Sequence, residues 1–132
     1  MPSNRKQPRL PAQYYIGTKS HFITICCDLR QPYLANPETA ELVHECLIDC
    51  AQRYSFVLHA YCLMPDHLHL LAQGTHPLAD LTKFIRILKS RTAFEFCHRD
   101  GRRLWEMSYY DHILRSSDSP EDVAHYIWWN PV

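Results

Sequence analysis

Two histidines separated by a single residue stand in the middle of the chain, in the run His67-Leu68-His69-Leu70-Leu71. Side chains on a β-strand alternate between its faces, so His67 and His69 share one face while Leu68 and Leu70 lie on the other. The aliphatic face is expected to be the core side. Two imidazoles at this spacing can bind one metal ion. The alternative is a pair of ordinary strand histidines on a half-exposed face, and the triplet alone does not decide between the two.

A tyrosine and an asparagine near the end of the chain form the second chemically capable group. The run Ser119-Pro120-Glu121-Asp122 predicts the start of a helix, on which Tyr126 and Asn130 are four residues apart and share one face. If that face meets the histidines, the site combines two imidazoles, an amide oxygen and a phenol. A metal ion with open coordination positions can polarise a phosphate oxygen, and a phenol can attack the phosphorus. The alternative is a tyrosine that packs its ring and leaves its hydroxyl in water.

The pattern around these residues predicts an α+β fold. Strands are expected at His21–Cys27, at Phe56–Met64, along the histidine run and at 109–115, and helices are expected from Asn36 and over Pro77 to about His98. A Pro65-Asp66 turn makes the second and third strands antiparallel neighbours. This order is the ferredoxin-like (split βαβ) plan, a four-stranded antiparallel sheet with two helices on one face. The appended C-terminal helix, which carries Tyr126, is then available to cover the histidine face.

Two side-chain patterns assign the faces of these elements. Strict alternation in the second strand places Phe56, Leu58, Ala60, Cys62 and Met64 together on one face. In the longer helix the core stripe is expected to be Leu81, Phe84, Ile85, Leu88, Thr92 and Phe96.

Length and composition place few limits on function. The 132 residues, 46% hydrophobic and 21% charged, suit one globular domain, predicted at 14–132 after a flexible basic arm at 1–13. No apolar run approaches the roughly 20 residues of a membrane helix and no signal peptide opens the chain, so we expect a cytoplasmic, nucleoid-associated protein with no membrane partner. The six cysteines include no C-x-x-C pair, which argues against disulfides and a thiolate zinc site.

Charge is segregated although the formal net charge is zero. Basic residues concentrate in 1–30 and in 83–103, which favours a basic surface able to contact DNA phosphates. The alternative for the second stretch is an ordinary solvated helix face. If the partner is DNA, the candidate phosphate contacts are Arg5, Lys6, Arg9, Lys83, Arg86, Lys89, Arg91 and Arg115, and the alternative for Arg115 is an ordinary surface charge on a strand.

Three segments together resemble the single-tyrosine HUH transposases of the IS200/IS605 type, and most closely the REP-associated tyrosine transposases. They are Met64 to Leu71, then Trp105 with Tyr109 to Arg115, then Tyr126-Ile127-Trp128-Trp129-Asn130-Pro131-Val132. The resemblance runs from about residue 14 to the end, with the three segments in the family's order.

The resemblance implies a specific chemistry. His67 and His69 correspond to the metal ligands, Tyr126 to the nucleophile, and Asn130 to the position of a third, amide-type ligand. It implies Mg²⁺ or Mn²⁺, single-stranded DNA folded into an imperfect hairpin, and a 5′-phosphotyrosine intermediate with a free 3′-hydroxyl. Ligand chemistry alone suits Mn²⁺, Zn²⁺ or Co²⁺ at least as well as Mg²⁺. A homodimer and a monomer both stay open, and no role is assigned to His112.

Two other functions compete with this interpretation. One is a hairpin-DNA-binding protein derived from a transposase that no longer cuts. The other is a nucleotide hydrolase of the histidine-triad type, which would require a further histidine where Leu71 stands. Neither would form a stable bond between protein and DNA.

Overall fold

The computed structural model describes residues 12–113. The strands are β1 (Ser20–Cys26), β2 (Phe56–Met64), β3 (His67–Gly74) and β4 (Tyr110–Ile113), and the α-helices are α1 (Pro37–Arg53) and α2 (Leu81–Asp100). Short 3₁₀ helices cover Ala12–Tyr15, Asp28–Arg30 and Tyr33–Ala35. Residues 1–11 of the arm predicted at 1–13, and the predicted C-terminal helix, lie outside the described residues.

The four strands form one sheet in the order β2-β3-β1-β4, and every neighbouring pair is antiparallel. This is the ferredoxin-like arrangement predicted from the sequence. The core lies between the sheet and the two helices, and the whole predicted stripe of α2 is buried. From β3 this core takes Leu68, Leu70 and Ala72, all fully buried. The histidines, which alternate with these residues, therefore point away from the helix layer.

The two helices begin at side-chain caps. Asn36 accepts hydrogen bonds from the backbone N–H groups of Glu38 and Thr39, at 2.9 and 3.4 Å, so α1 begins where it was predicted. Helix α2 begins at Leu81, four residues later than predicted. Asp80 is its cap, with Oδ1 3.2 Å from the Lys83 nitrogen, and the preceding residue Ala79 instead accepts a hydrogen bond from the Gly17 N–H.

A β-bulge in β2 overturns the prediction of strict alternation along that strand. The register with β3 shifts between Leu58 and Ala60, so the face changes within the strand. Phe56 and Leu58 pair with core-facing positions of β3 and share its core face. Cys62 and Met64 instead pair with His69 and His67 and share the histidine face. The predicted five-residue face is thus divided between the two sides of the sheet.

No helix between residues 12 and 113 combines the length and apolar composition needed to cross a membrane. All six cysteines fall in this region and are free thiols. Cys46 and Cys50 are buried on α1 with their Sγ atoms 3.8 Å apart, in agreement with the prediction that they form part of its apolar face.

Candidate active site

The two histidines of β3 stand side by side on the face of the sheet opposite the helices. Their neighbours on that face are set by the register, since Thr24 of β1 pairs with His69 and Cys26 pairs with His67. Both imidazoles are buried, with exposed fractions of 2% for His67 and 5% for His69. At these two positions the histidine face is closed to solvent.

The two rings meet through one nitrogen each. The Nε2 atoms of His67 and His69 are 3.1 Å apart, and the ring planes are nearly perpendicular at 78°. Two nitrogen ligands at about 2.0–2.1 Å from one ion lie roughly 3.0–3.4 Å apart when they occupy neighbouring coordination positions. The pair therefore fits two ligands of one metal ion, as the sequence predicted.

The other nitrogen of each ring has its own partner. His67 Nδ1 lies 2.6 Å from Asp66 Oδ1, and His69 Nδ1 lies 2.9 Å from Thr24 Oγ1. Asp66 is held in turn by Arg30, whose Nε and Nη2 are each 3.0 Å from Oδ2. Partners of this kind fix the orientation of metal-binding imidazoles in proteins.

Burial and these contacts shift two pKa values. Burial, together with the charges of His67 and Arg30, lowers the pKa of His69 to about 4, so this imidazole is neutral near pH 7. Partial burial acts to raise the pKa of Asp66, but its hydrogen bond to His67 and the charge of Arg30 outweigh it and hold that pKa below its usual value. A neutral imidazole is the form that binds metal.

The described residues do not complete a metal site. Between residues 12 and 113, no group of three or more His, Cys, Asp or Glu side chains is placed to hold a metal ion. A metal ion held by the histidine pair would therefore need further ligands, such as the predicted Asn130, water or substrate oxygens. Asn130 and the predicted nucleophile Tyr126 lie outside the described residues, so both assignments stay predictions.

Sequence reasoning missed several residues beside the histidines. Arg30 was counted only as a basic residue and Asp66 only as a turn residue, although its position next to His67 was a usable signal. Tyr110 pairs with Thr24 in the register of β4 with β1 and so shares the histidine face. Burial and the negative charge of Glu106 raise its pKa. The histidine face therefore carries a phenol, that of Tyr110, in the described part of the chain.

The basic residues of α2 are less uniform than predicted. Lys89 is half-buried, and its Nζ donates to the carbonyls of Glu106 and Ser108 at 2.8 and 3.2 Å. Arg91 pairs with Asp49 of α1 at 2.7 Å. Lys89 and Arg91 thus have partners within the chain, and the expectation that Lys83, Arg86, Lys89 and Arg91 contact DNA stays a prediction.

Lys83 and Arg86 are exposed, and the Lys83 ammonium lies 5.6 Å from the centre of the Tyr54 ring. Helix α2 packs on the side of the sheet opposite His67 and His69. Lys83 and Arg86 therefore lie on the helix side of the sheet, away from the histidine pair.

The remaining predicted DNA-binding residues, Arg5, Lys6, Arg9 and Arg115, lie outside the described residues. Trp105, which belongs to one of the three sequence segments, is buried in the core. Its indole Nε1–H donates to Thr92 Oγ1 at 2.9 Å, which is a structural role.

Comparison with known proteins places this geometry in context. The family described as "Transposase IS200 like" matches residues 15–130. The Haemophilus influenzae protein named "Putative REP-associated tyrosine transposase" is 29% identical over 94 residues, which are 61% of this chain and 52% of that protein. The Escherichia coli K12 protein named "REP-associated tyrosine transposase" is 24% identical over 121 residues, 91% of this chain and 70% of that protein. The chain thus spans about half the length of the Haemophilus relative.

Two solved structures share the fold. One is described as a REP-associated tyrosine transposase bound to a REP hairpin, with a TM-score of 0.70 and 18% identity over 93% of this chain and 68% of that chain. The other is a crystal structure of a "putative transposase" from Deinococcus radiodurans R1, with a TM-score of 0.63 and 23% identity over 94% of this chain and 96% of that chain.

Proposed function

The chain belongs to the IS200-like transposase family, whose pattern covers residues 15–130, and on that premise we propose that it is a metal-dependent endonuclease and strand transferase acting on single-stranded hairpin DNA. The observation that carries this proposal is the buried histidine pair with Nε2 atoms 3.1 Å apart. Such a pair suits a shared metal ion, and metal-assisted phosphoryl chemistry is what a tyrosine transposase performs.

Each residue has a defined part in the proposed reaction. The Tyr126 hydroxyl loses its proton as its oxygen attacks the scissile phosphorus, the bond from phosphorus to the 3′-oxygen breaks, and the departing oxygen takes a proton to become a 3′-hydroxyl, so no net proton is consumed. His67 and His69, with Asn130, would hold Mg²⁺ or Mn²⁺, which would supply polarisation of a phosphate oxygen. Because the phosphotyrosine bond conserves the phosphodiester, attack by another 3′-hydroxyl rejoins the strand without ATP.

A hairpin substrate is supported by the structural relative that is described as bound to a REP hairpin. In this chain the exposed Lys83 and Arg86 are available for phosphates, and the basic arm with Arg5, Lys6 and Arg9 adds positive charge. A hairpin offers both a duplex stem, which phosphate contacts can hold, and unpaired nucleotides, which a nuclease site can reach.

The test mixes the protein with labelled single-stranded hairpin oligonucleotides from its own genomic flanks, in Mn²⁺, Mg²⁺ or chelator. Wild type and Tyr110→Phe should give a metal-dependent adduct that survives a denaturing gel, and Tyr126→Phe should give none. Tyr110→Phe is the matched control because Tyr110 is the described phenol on the histidine face. An adduct lost in Tyr110→Phe but kept in Tyr126→Phe would overturn the assignment of the nucleophile.

Other outcomes separate the competing functions. Hairpin binding without adduct or cleavage under any metal condition would favour the non-catalytic DNA-binding protein. Mixing His67→Ala with Tyr126→Phe tests the oligomeric mechanism, since cleavage returns only if one subunit's tyrosine reaches its partner's histidines.

A further inference from the structure

The two imidazoles that would share a metal ion are held by partners of different chemical kinds. Asp66 is ionised beside the Arg30 guanidinium, whose Nε and Nη2 both lie 3.0 Å from Oδ2. A carboxylate only accepts hydrogen bonds. The 2.6 Å contact from His67 Nδ1 to Asp66 Oδ1 therefore requires a hydrogen on Nδ1. In the neutral ring this leaves His67 Nε2 with a free lone pair.

The rest of the hydrogen-bond chain follows from that first assignment. Since His67 Nε2 has a lone pair, its 3.1 Å contact with His69 Nε2 is a hydrogen bond only if His69 carries its hydrogen there. His69 Nδ1 is then the bare nitrogen, and Thr24 Oγ1–H donates to it at 2.9 Å. With both rings neutral, the His67 Nε2 lone pair is thus free to bind metal in the metal-free protein, and His69 is in the opposite tautomer.

We infer that Thr24 and Asp66 are positioning residues that set the tautomers of the histidine pair. Asp66 keeps the hydrogen of His67 on Nδ1, and Thr24 lets the hydrogen of His69 be on either ring nitrogen. For both Nε2 lone pairs to face one ion, His69 must release its Nε2 proton to solvent and take one at Nδ1, with no change in net charge. Thr24 Oγ1 then accepts from Nδ1–H instead of donating. A hydroxyl can switch between these two roles by rotating, whereas a carboxylate can only accept. This rests on the proposed function only in taking the pair as metal ligands.

The backbone around Arg30 supports its part in this arrangement. Leu29 and Arg30 both have positive φ angles, 53° and 54°, a conformation that is costly for residues other than glycine. Leu29 is 78% exposed, so its own packing does not account for the conformation. The strained turn brings Arg30 to Asp66, and the Cys27 N–H tethers the same turn to the Asp66 carbonyl at 2.9 Å.

The first test reads the tautomers directly by ¹⁵N NMR of the histidine rings in the wild-type protein. Without metal, at about pH 8, above the usual imidazole pKa, we expect the hydrogen on Nδ1 of His67 and on Nε2 of His69. After saturation with Zn²⁺, a diamagnetic probe, the His69 hydrogen should be on Nδ1 and His67 should be unchanged. A metal-free His67 with its hydrogen on Nε2, or a His69 already protonated on Nδ1, would overturn the inference.

The second test measures Mn²⁺ affinity by electron paramagnetic resonance, without DNA. Thr24→Val and Asp66→Asn should each bind Mn²⁺ about 10–100-fold more weakly than wild type, the usual effect of removing the group that orients a metal-binding imidazole. Thr24→Ser restores the hydroxyl and should restore the affinity. Asp49→Asn is the control, because that carboxylate pairs with Arg53 and Arg91 in the helix layer. Equal affinity in Thr24→Val and Thr24→Ser would contradict the role of Thr24.

These tests are separate from the test of cleavage. If the tautomers and affinities come out as expected but no hairpin is cut, the proposed nuclease fails and this inference stands. If the wild type cuts DNA but its metal-free tautomers differ from those assigned, only this inference fails. The wild-type NMR measurement keeps the inference falsifiable even if one of the variants does not fold.

Discussion

The Nε2 atoms of His67 and His69 are 3.1 Å apart, and both imidazoles are buried on the face of β3 opposite the helices. Two cationic imidazoles would not be stable at this distance in a desolvated site, and burial with the nearby charges lowers the pKa of His69 to about 4. His69 is thus kept in the neutral form in which a ring nitrogen can bind metal, and Asp66 and Thr24 contact the outer nitrogens of the pair.

His67→Ala should remove Mn²⁺ affinity and DNA cleavage together, while hairpin binding is largely retained. The decrease in affinity should exceed the roughly 10–100-fold effect of removing a group that only orients a ligand, because this variant removes the ligand itself. His59→Ala is the control, since that exposed β2 histidine bonds to Gln73 instead. Electron paramagnetic resonance and a cleavage gel measure the two effects. Cleavage at the wild-type rate in His67→Ala would exclude the residue as a ligand.

Lys83→Ala and Arg86→Ala should weaken hairpin binding and its dependence on salt. The slope of log affinity against log salt should fall by about 0.7–0.9 for each phosphate that the variant no longer neutralises. Arg91→Ala is the matched control, because its guanidinium is paired with Asp49 and should contribute less. Fluorescence anisotropy over a salt series gives the slopes. Unchanged slopes in the Lys83 and Arg86 variants would show that this surface does not bind the DNA.

His21 should make the fold less stable as the pH falls. Its imidazole is 2% exposed, and its Nδ1 has no hydrogen-bond partner among the described residues. Burial, with a smaller effect from Lys19, lowers its pKa to about 4 from a usual 6.5. The unfolded chain therefore takes up a proton at pH values where the folded protein does not, so stability decreases from about pH 6.5 down to about pH 4, by about 3 kcal/mol in all.

Urea unfolding of wild type and His21→Phe at pH 7 and pH 5 checks this expectation. The phenyl ring can keep the stacking on Tyr15 but does not titrate. The variant should lose less stability between the two pH values than the wild type. His69 contributes in both proteins, so the difference between them isolates His21. Parallel losses in the two proteins would be inconsistent with a neutral buried His21.

Thr92→Val should destabilise the fold by about 1–3 kcal/mol, the usual effect of an unsatisfied buried donor. The shape of the side chain is conserved, but the indole of Trp105 loses its acceptor at 2.9 Å. Thr92→Ser keeps the hydroxyl and is the control. Chemical denaturation compares the two, and equal stabilities would mean that the hydrogen bond is replaced.

Gly74→Ala should be more damaging than Gly101→Ala. A Cβ at residue 74 would overlap the Gly17 carbonyl oxygen, so two backbone segments must separate, at a cost of roughly 1–3 kcal/mol or more. At Gly101 nothing lies within 4 Å and only the positive φ of 69° opposes a side chain, which costs about 1–2 kcal/mol. Thermal unfolding of both variants gives the ranking, and the reverse order would disprove the close approach.

Local signals in the sequence account for much of what was predicted correctly. Alternation places Leu68 and Leu70 in the core and both histidines on the other face, because side chains along a strand must alternate. Asn36 marks the start of α1 because its side chain can cap a helix. The family resemblance rests on three segments read in order along the chain, and the match over residues 15–130 confirms it.

The predictions that differ from the structure concern places where contacts with a distant part of the chain determine the local structure. The bulge at Leu58 and Ala60 depends on pairing with β3, and the late start of α2 follows from contacts of Ala79 with Gly17. Lys89 and Arg91 have partners that the sequence does not show, the Glu106 carbonyl and the Asp49 carboxylate. None of these partners is a neighbour along the sequence.

The sequence by itself determined the strand and the face of His67 and His69, because local spacing sets these properties. Only the tertiary structure decided how the imidazoles are held, since Arg30 and Asp66 are 36 residues apart and Thr24 and His69 are 45 apart. A hydrogen bond depends on the positions of its two atoms in space. The sheet register and the turn at Leu29 and Arg30 bring these atoms together, and only the folded chain specifies both.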